Sequence, residues 1–312
     1  MKLSLSTNWC NRRIESGEEI AEKAIELGFD ELELGFHTSL AQVEGFRKTR
    51  VRIPVGSVHA FCPVPVSAPQ GYPELYSLAS FSREARELAR VHVLNNIRFA
   101  ADVGADTVVL HAGRVTFNSL FRFIDSSLLR ETLKACGDKT DAPKYAKLLA
   151  RAKRIRATNG ERLLGLFKDE VAALVPELEK LGVTLAFENL PYLEGFPDEK
   201  ETVSLLDDFK DAPVKAWFDT GHDRVRVCHG WTEPDTWKGG DDEPCRYAGL
   251  HLNDVKDFTD DHLAPGFGKV DFAALAPLAG KVRHIVFEPS QGVSEEDLKK
   301  GLAKIRSLWY NT

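Results

Sequence analysis

Cysteine is scarce and shows no pairing pattern. The 312 residues hold Cys10, Cys62, Cys136, Cys228 and Cys245, an odd number with no two at CxxC spacing. That argues against a disulfide framework and predicts reduced thiols in a cytoplasmic protein. No run approaches the roughly eighteen apolar residues of a membrane span, so no transmembrane helix is expected. The opening MKLSLSTNWCNRR lacks a sustained apolar core and a small-residue cleavage site, and no signal peptide is expected from it. A basic excess is also missing: 41 Lys and Arg face 47 Asp and Glu, for a formal charge of −6. Phosphate neutralisation supplies much of nucleic-acid affinity. The balance therefore leans away from a nucleic-acid partner, although a local basic patch could suffice. No internal repeat, low-complexity tract or linker marks a second domain.

What is present is ordinary for a globular chain, with 43% hydrophobic and 28% charged residues. A chain of this length can bury a large core without disulfides. Its organising pattern is alternation of short β-rich runs with longer helical stretches. Eight strands are predicted, at Lys2–Ser6, Glu31–Gly35, Gly56–Phe61, Thr107–Ala112, Thr184–Asn189, Lys215–Asp219, Ala248–Asn253 and Arg283–Glu288. Runs such as TVVLHA and TLAFEN are apolar throughout, as in parallel strands covered on both faces. Helices are predicted over Glu18–Leu27, Arg83–Val103, Leu164–Leu181 and Glu295–Trp309, the last capped by Ser294. A glycine precedes several strands (LGFDELEL, VGADTVVL, LGVTLAF), where it suits a left-handed helix C-cap. Strand, helix and glycine repeated through eight strands predict one (β/α)₈ TIM barrel over residues 1–312.

One stretch departs from the rhythm. Residues 113–160 are too long for a βα loop and read as a helical insertion after strand 4, in two parts near Asn118–Ala135 and Ala142–Ile155. The segment KYAKLLARAKRIRATNG has six basic residues and no acidic ones. It reads as a solvated helix face, with a cap that attracts an anionic substrate as the alternative.

Polar residues collect at the C-terminal ends of the predicted strands, the active-site face of such a barrel. Glu188 lies in TLAFENLP, Asp219 ends KAWFDTGH, His251 sits in GLHLND and Glu288 ends HIVFEPS. A buried carboxylate is costly unless paired or metal-bound, and three brought together would repel. A cation resolves that, and mixed oxygen and nitrogen donors suit Mn²⁺, Zn²⁺, Co²⁺ or Fe²⁺ better than Ca²⁺. Singly, each has a structural reading: Asp219 could cap a helix and His251 could be a core histidine. A second group comprises His59, His111, His222, Asp260 and His262. Each could bind substrate, add a metal ligand or orient another ligand.

The motifs FENLP, FDTGH, GLHLNDVKD, HLAPGFGKVDF and FEPS resemble the xylose isomerase-like barrel superfamily. That group holds sugar and sugar-phosphate isomerases and epimerases, dehydratases and the endonuclease IV type of abasic-site nuclease. The resemblance covers most of the chain outside the insertion. It implies that Glu188, Asp219, His251 and Glu288 hold a divalent metal (Mn²⁺, Zn²⁺, Co²⁺ or Mg²⁺) and that Glu188 and Glu288 exchange the proton. The implied function is a sugar, sugar-phosphate or polyol isomerase or epimerase working through a metal-stabilised enediolate. The alternatives are a dehydratase on the same scaffold and an abasic-site phosphodiesterase with two or three zinc ions, whose ligand set would add the five residues of the second group. Phe267 departs from the pattern, since both branches often carry a glutamate between those two glycines. The expected partner is a small sugar or polyol, with no membrane and no nucleic acid; a homo-oligomer stays open.

Overall fold

The structure, a computed structural model, describes residues 2–115, 124–236 and 245–309. Eight strands form a closed parallel barrel: β1 (Ser4–Ser6), β2 (Glu31–Leu34), β3 (Val55–His59), β4 (Thr107–Leu110), β5 (Thr184–Glu188), β6 (Val214–Asp219), β7 (Tyr247–Leu252) and β8 (His284–Phe287). Each pairs with the next in sequence, and β8 returns to β1 with Ser4 opposite Val286 and Leu5 opposite Phe287. All eight predicted strands are present, with ends shifted by a residue or two.

The helices are α1 (Gly17–Leu27), α2 (Leu40–Thr49), α3 (Arg83–Val103), α4 (Ser126–Ala135), α5 (Pro143–Leu181), α6 (Glu199–Asp208), α7 (Thr220–Cys228), α8 (Ala276–Ala279) and α9 (Glu295–Trp309). Their boundaries follow from capping chemistry. The side chains of Ser16, Ser82 and Asp125 accept the first-turn amides of α1, α3 and α4, while Ser39–Gln42 and Asp198–Glu201 form capping boxes on α2 and α6. Ser294 accepts the amide of Asp297 at 3.1 Å, as its predicted cap role requires. Gly28, Gly104 and Gly182 close α1, α3 and α5 with φ of 93°, 84° and 66°, the left-handed geometry that a Cβ opposes. No described helix is long and apolar enough to cross a membrane.

The insertion differs from expectation at one point. A break is predicted after Ile155, yet α5 runs unbroken from Pro143 to Leu181. The polar triplet TNG is absorbed by local bonding: Thr158 Oγ1 donates to Arg154 O at 3.1 Å, and Asn159 Nδ2 donates to Ile155 O at 2.9 Å. Gly160 is a packing residue, because a Cβ there would lie 2.1 Å from Glu201 Oε1. Of the predicted stretch Asn118–Ala135, residues 118–123 lie outside the described residues. The α4 helix and the start of α5 build a small second core of Leu129, Leu133, Tyr145 and Ala152 with Leu193 and Trp231, which come from the segments after β5 and after α7. Within the basic stretch Lys144, Lys147, Arg151 and Arg154 are exposed, whereas Arg156 is buried.

Period-two alternation sorts the barrel strands other than β3, whose pairing with β2 carries a register shift. Leu3, Leu5, Leu32, Leu34, Val108, Leu110, Leu185, Phe187, Leu250, Leu252, Ile285 and Phe287 belong to the core between sheet and helices. The opposite parity faces the barrel axis, where Val109, Ala186, Trp217 and Val286 form a separate apolar layer. Gly249 makes room for the indole, since a Cβ there would lie 2.4 Å from the Trp217 ring. Below this layer lies a polar floor: Lys2 Nζ to Glu31 Oε1 at 2.6 Å and His284 Nε2 to Asp106 Oδ1 at 2.7 Å. Above it lie the residues described next.

His229, the C-cap of α7, gives a pH signature for the insertion core. Its ring stacks on Trp231 with centroids 4.2 Å apart, and Nδ1–H donates to Val225 O at 2.8 Å. Burial, only partly opposed by that hydrogen bond, pushes its pKa down to about 4. Between that value and the unfolded one near 6.5 the unfolded chain binds more protons, so this contribution to stability is present above the window and lost as pH falls through it. The urea midpoint of the parent is expected to fall from about pH 7.5 to about pH 5, and that of His229→Phe to fall less. Parallel falls in both proteins would remove His229 from the explanation.

Candidate metal centre

The strand ends bring nine titratable side chains to one end of the barrel. Glu188 and Asp219 are the last residues of β5 and β6, His59 the last of β3, and His251 lies one residue before the end of β7. His111 and Glu288 follow β4 and β8 directly. His222 is in the first turn of α7, and Asp260 and His262 come from the loop after β7. All nine predicted site residues therefore lie in one region.

Their donor atoms form four groups, each with its atoms within 4.8 Å of one another: His59, His111 and Glu188; Glu188, Asp219, His251 and Glu288; His59, His251 and Glu288; and His222, Asp260 and His262. Glu188 joins the first two. Its Oε2 faces His59 Nε2 and His111 Nε2, each at 3.2 Å, and its Oε1 faces His222 Nδ1 and His251 Nδ1, each at 3.3 Å. Glu188, Asp219 and His251 are almost completely buried.

Second contacts fix which nitrogen four of the five imidazoles present. The Nδ1–H groups of His59, His222 and His262 donate to Ala60 O, Asn189 O and Glu288 O at 2.9, 2.8 and 2.8 Å, leaving Nε2 toward the carboxylates. His251 is reversed: Nε2–H donates to Glu33 at 3.1 Å, and Nδ1 lies 3.3 Å from both Glu188 Oε1 and Glu288 Oε2. Asp219 does two jobs at once. Oδ1 caps α7 by accepting His222 N at 2.7 Å, and Oδ2 accepts Asn253 Nδ2 at 2.6 Å. The sequence readings of Asp219 as a helix cap and as a site carboxylate are thus compatible.

The loop carrying Asp260 and His262 is organised by Asp254. Its carboxylate accepts the amides of Val255, Gly266, Gly268 and Val270 at 2.8–3.0 Å. A Cβ at Gly268 would meet Asp254 Oδ1 at 2.4 Å, which accounts for the glycine in PGFG. Phe267, between the two glycines, is exposed.

The charge balance favours a cation. Burial works against ionisation of Glu188, yet His251 and His111 outweigh it and hold its carboxyl well below the usual range. Burial pushes Asp219 up to about 6, opposed by His222 and reinforced by Glu188. Burial also disfavours charge on the imidazoles, but the carboxylates overcome it: His111 rises to about 9 through Glu188 and Glu74, His262 to about 10 through Asp260, and His251 well above its ordinary value through Glu288, Glu33 and Glu188. In the metal-free protein, protons on the histidines therefore offset the carboxylate charge. Glu188 Oε1, His251 Nδ1 and Asp260 Oδ1 are buried and lack a hydrogen-bond partner. Buried polar atoms without partners are expensive. Carboxylate oxygens and imidazole nitrogens converging in this way fit a divalent cation.

Sequence reasoning misses Glu33, Asn8, Asn189, Asn253 and Glu74. Asn8 Nδ2 donates to Glu288 Oε1 at 3.3 Å, and Asn189 exchanges hydrogen bonds with the backbone of Asp219. Glu74 pairs with Arg114 and lies 3.8 Å from His111 Nδ1. The signal for Glu33 is its parity: in ELEL the leucines face the helices, so both glutamates must point into the barrel.

The family model of xylose isomerase-like TIM barrels matches residues 21–308. Solved structures agree over nearly the full length. A D-tagatose 3-epimerase-like protein is 19% identical with a TM-score of 0.63, covering 98% of this chain and 99% of its own. The E. coli 3-keto-D-glucoside 4-epimerase is 15% identical with a TM-score of 0.65 and the same coverages. A Thermus thermophilus protein soaked with zinc chloride is 22% identical with a TM-score of 0.61, covering 100% of this chain and 99% of its own. No curated protein matches the chain.

Proposed function

The chain belongs to the xylose isomerase-like TIM-barrel family, and from that premise we propose a divalent-metal-dependent isomerase or epimerase acting on a sugar, sugar phosphate or polyol. The observation that carries this reading is the buried group Glu188, Asp219, His251 and Glu288, with two glutamates on strands that are not neighbours. The epimerases among the similar structures are in keeping with it. We read the barrel and its insertion as one domain of a cytoplasmic protein.

A bound divalent cation supplies Lewis acidity, polarising a substrate carbonyl and stabilising the charge that develops when a proton leaves the adjacent carbon. The protein's own groups handle that proton. One of Glu188 and Glu288 accepts it at a carboxylate oxygen, and the other delivers a proton to the opposite face of the same carbon, which epimerises it. Return to the neighbouring carbon isomerises. Asn8 orients Glu288 through Oε1, and Asn253 and Asn189 hold Asp219. His222 and His262, tied through Nδ1 to backbone carbonyls, present Nε2 beside Asp260 for substrate hydroxyls.

A second reading has its own observation. The nine residues and their several donor groups suit two or three zinc ions and hydrolysis of a phosphodiester, as at an abasic site. The net charge of −6 speaks against a nucleic-acid substrate. The two readings separate by experiment. Under the first, purified protein binds about one catalytically required ion per chain, and incubation with ketoses and ketose phosphates in deuterated water places deuterium next to a carbonyl. No exchange across a broad panel, together with two or three ions and cleavage of an abasic duplex, would overturn the first reading in favour of the second.

A further inference from the structure

The carboxylate of Glu33 is fully buried in the barrel axis, on the face that β2 shares with Glu31. Its Oε1 and Oε2 lie 3.1 and 3.2 Å from His251 Nε2, and Oε2 also accepts Ser57 Oγ at 2.9 Å. An anion so buried is costly and needs a compensating role. His251 is the one histidine of the group whose outer contact is a carboxylate within hydrogen-bond distance rather than a backbone carbonyl. Its other nitrogen, Nδ1, is buried without a hydrogen-bond partner and faces Glu188, Glu288 and, at 3.9 Å, Asp219.

We propose that Glu33 is a positioning residue of the centre: by accepting the Nε2–H of His251 it fixes the ring with Nδ1 toward the three site carboxylates and strengthens Nδ1 as a donor to a divalent cation. The arrangement is the general one in which a carboxylate orients an imidazole and raises its basicity. Ser57 Oγ donates to Oε2, so the carboxylate that meets the ring is itself held in place. The inference rests on the metal-dependent reading above.

The test is zinc affinity measured by competition with a chromophoric chelator, for the parent, Glu33→Gln and Glu31→Gln. Glu31 is the matched control, on the same strand and face but paired with Lys2 on the floor. Glu33→Gln keeps the shape and removes the charge. Its zinc affinity is expected to fall about 10–100-fold, with a changed Co²⁺ absorption spectrum, while Glu31→Gln stays within about threefold of the parent. Equal affinity and an unchanged Co²⁺ spectrum in Glu33→Gln would overturn the proposal. A parent that binds no divalent ion would instead overturn the metal reading. Should Glu33→Gln not fold, nitrogen-resolved histidine NMR of the zinc-loaded parent decides, with the His251 signals identified by their loss in His251→Gln. A retained Nε2–H with Nδ1 free of a proton supports the proposal; a proton on Nδ1 overturns it.

Discussion

Glu188→Gln is expected to lower turnover by about a thousandfold or more on the substrate found in the deuterium-exchange panel. The reasoning is local. The substitution keeps the size of the side chain but replaces a carboxylate whose two oxygens face four imidazoles at 3.2–3.3 Å. An amide keeps only one acceptor oxygen and carries no charge. The change removes a proton acceptor and a shared anionic donor together. Measuring metal content beside kcat and KM separates the two losses. If turnover collapses with metal retained, Glu188 handles the proton; if both collapse, its role as a shared ligand dominates. Turnover within a factor of ten of the parent would refute both roles.

Arg156→Ala is expected to destabilise the fold by about 3–5 kcal/mol, the range for breaking a buried ion pair from one side. Arg156 forks onto Glu201 at 2.5 and 2.7 Å, reaches Asp198 at 3.0 Å, and donates to the carbonyls of Gly195 and Leu193 at 2.6 and 3.3 Å. Alanine would leave two carboxylates and two carbonyls short of a donor, Glu201 among them buried. Asp198 and Glu201 are also the capping box of α6, so the damage extends to the helix after β5. Lysine should recover little, because an ammonium cannot reproduce the planar fork. Urea unfolding followed by circular dichroism gives the number. A loss under about 1 kcal/mol would mean that the surrounding polar groups find water instead.

The barrel was legible because its strands are covered on both faces and its helices end in glycine, both of which leave marks within a few residues. The nine candidate site residues were legible because each interrupts an apolar strand end or sits in a short motif beside one. What escaped detection depends on contacts distant in sequence. Arg156 looks like one more solvated base, since its partner Glu201 lies 45 residues away. Glu33 looks like the wet face of an amphipathic strand, because a barrel whose axis is polar imitates exposure. The continuity of α5 was hidden by Thr158, Asn159 and Gly160, which read as a turn until side-chain bonding to the helix and packing against Glu201 are seen.

The ties that aim the histidines also join the strand ends to one another. His222 is held by the carbonyl of Asn189, the neighbour of Glu188, while Asn189 holds the backbone of Asp219. His262 is held by the carbonyl of Glu288, and Asn253 by the carboxylate of Asp219. A substitution at one strand end therefore moves the reference frame of the next. Mutational effects around the rim should be strongly epistatic, with pairs costing less than the sum of their singles because the first already loosens what the second would remove. An evolving sequence would then find it easier to exchange neighbouring rim residues together than one at a time.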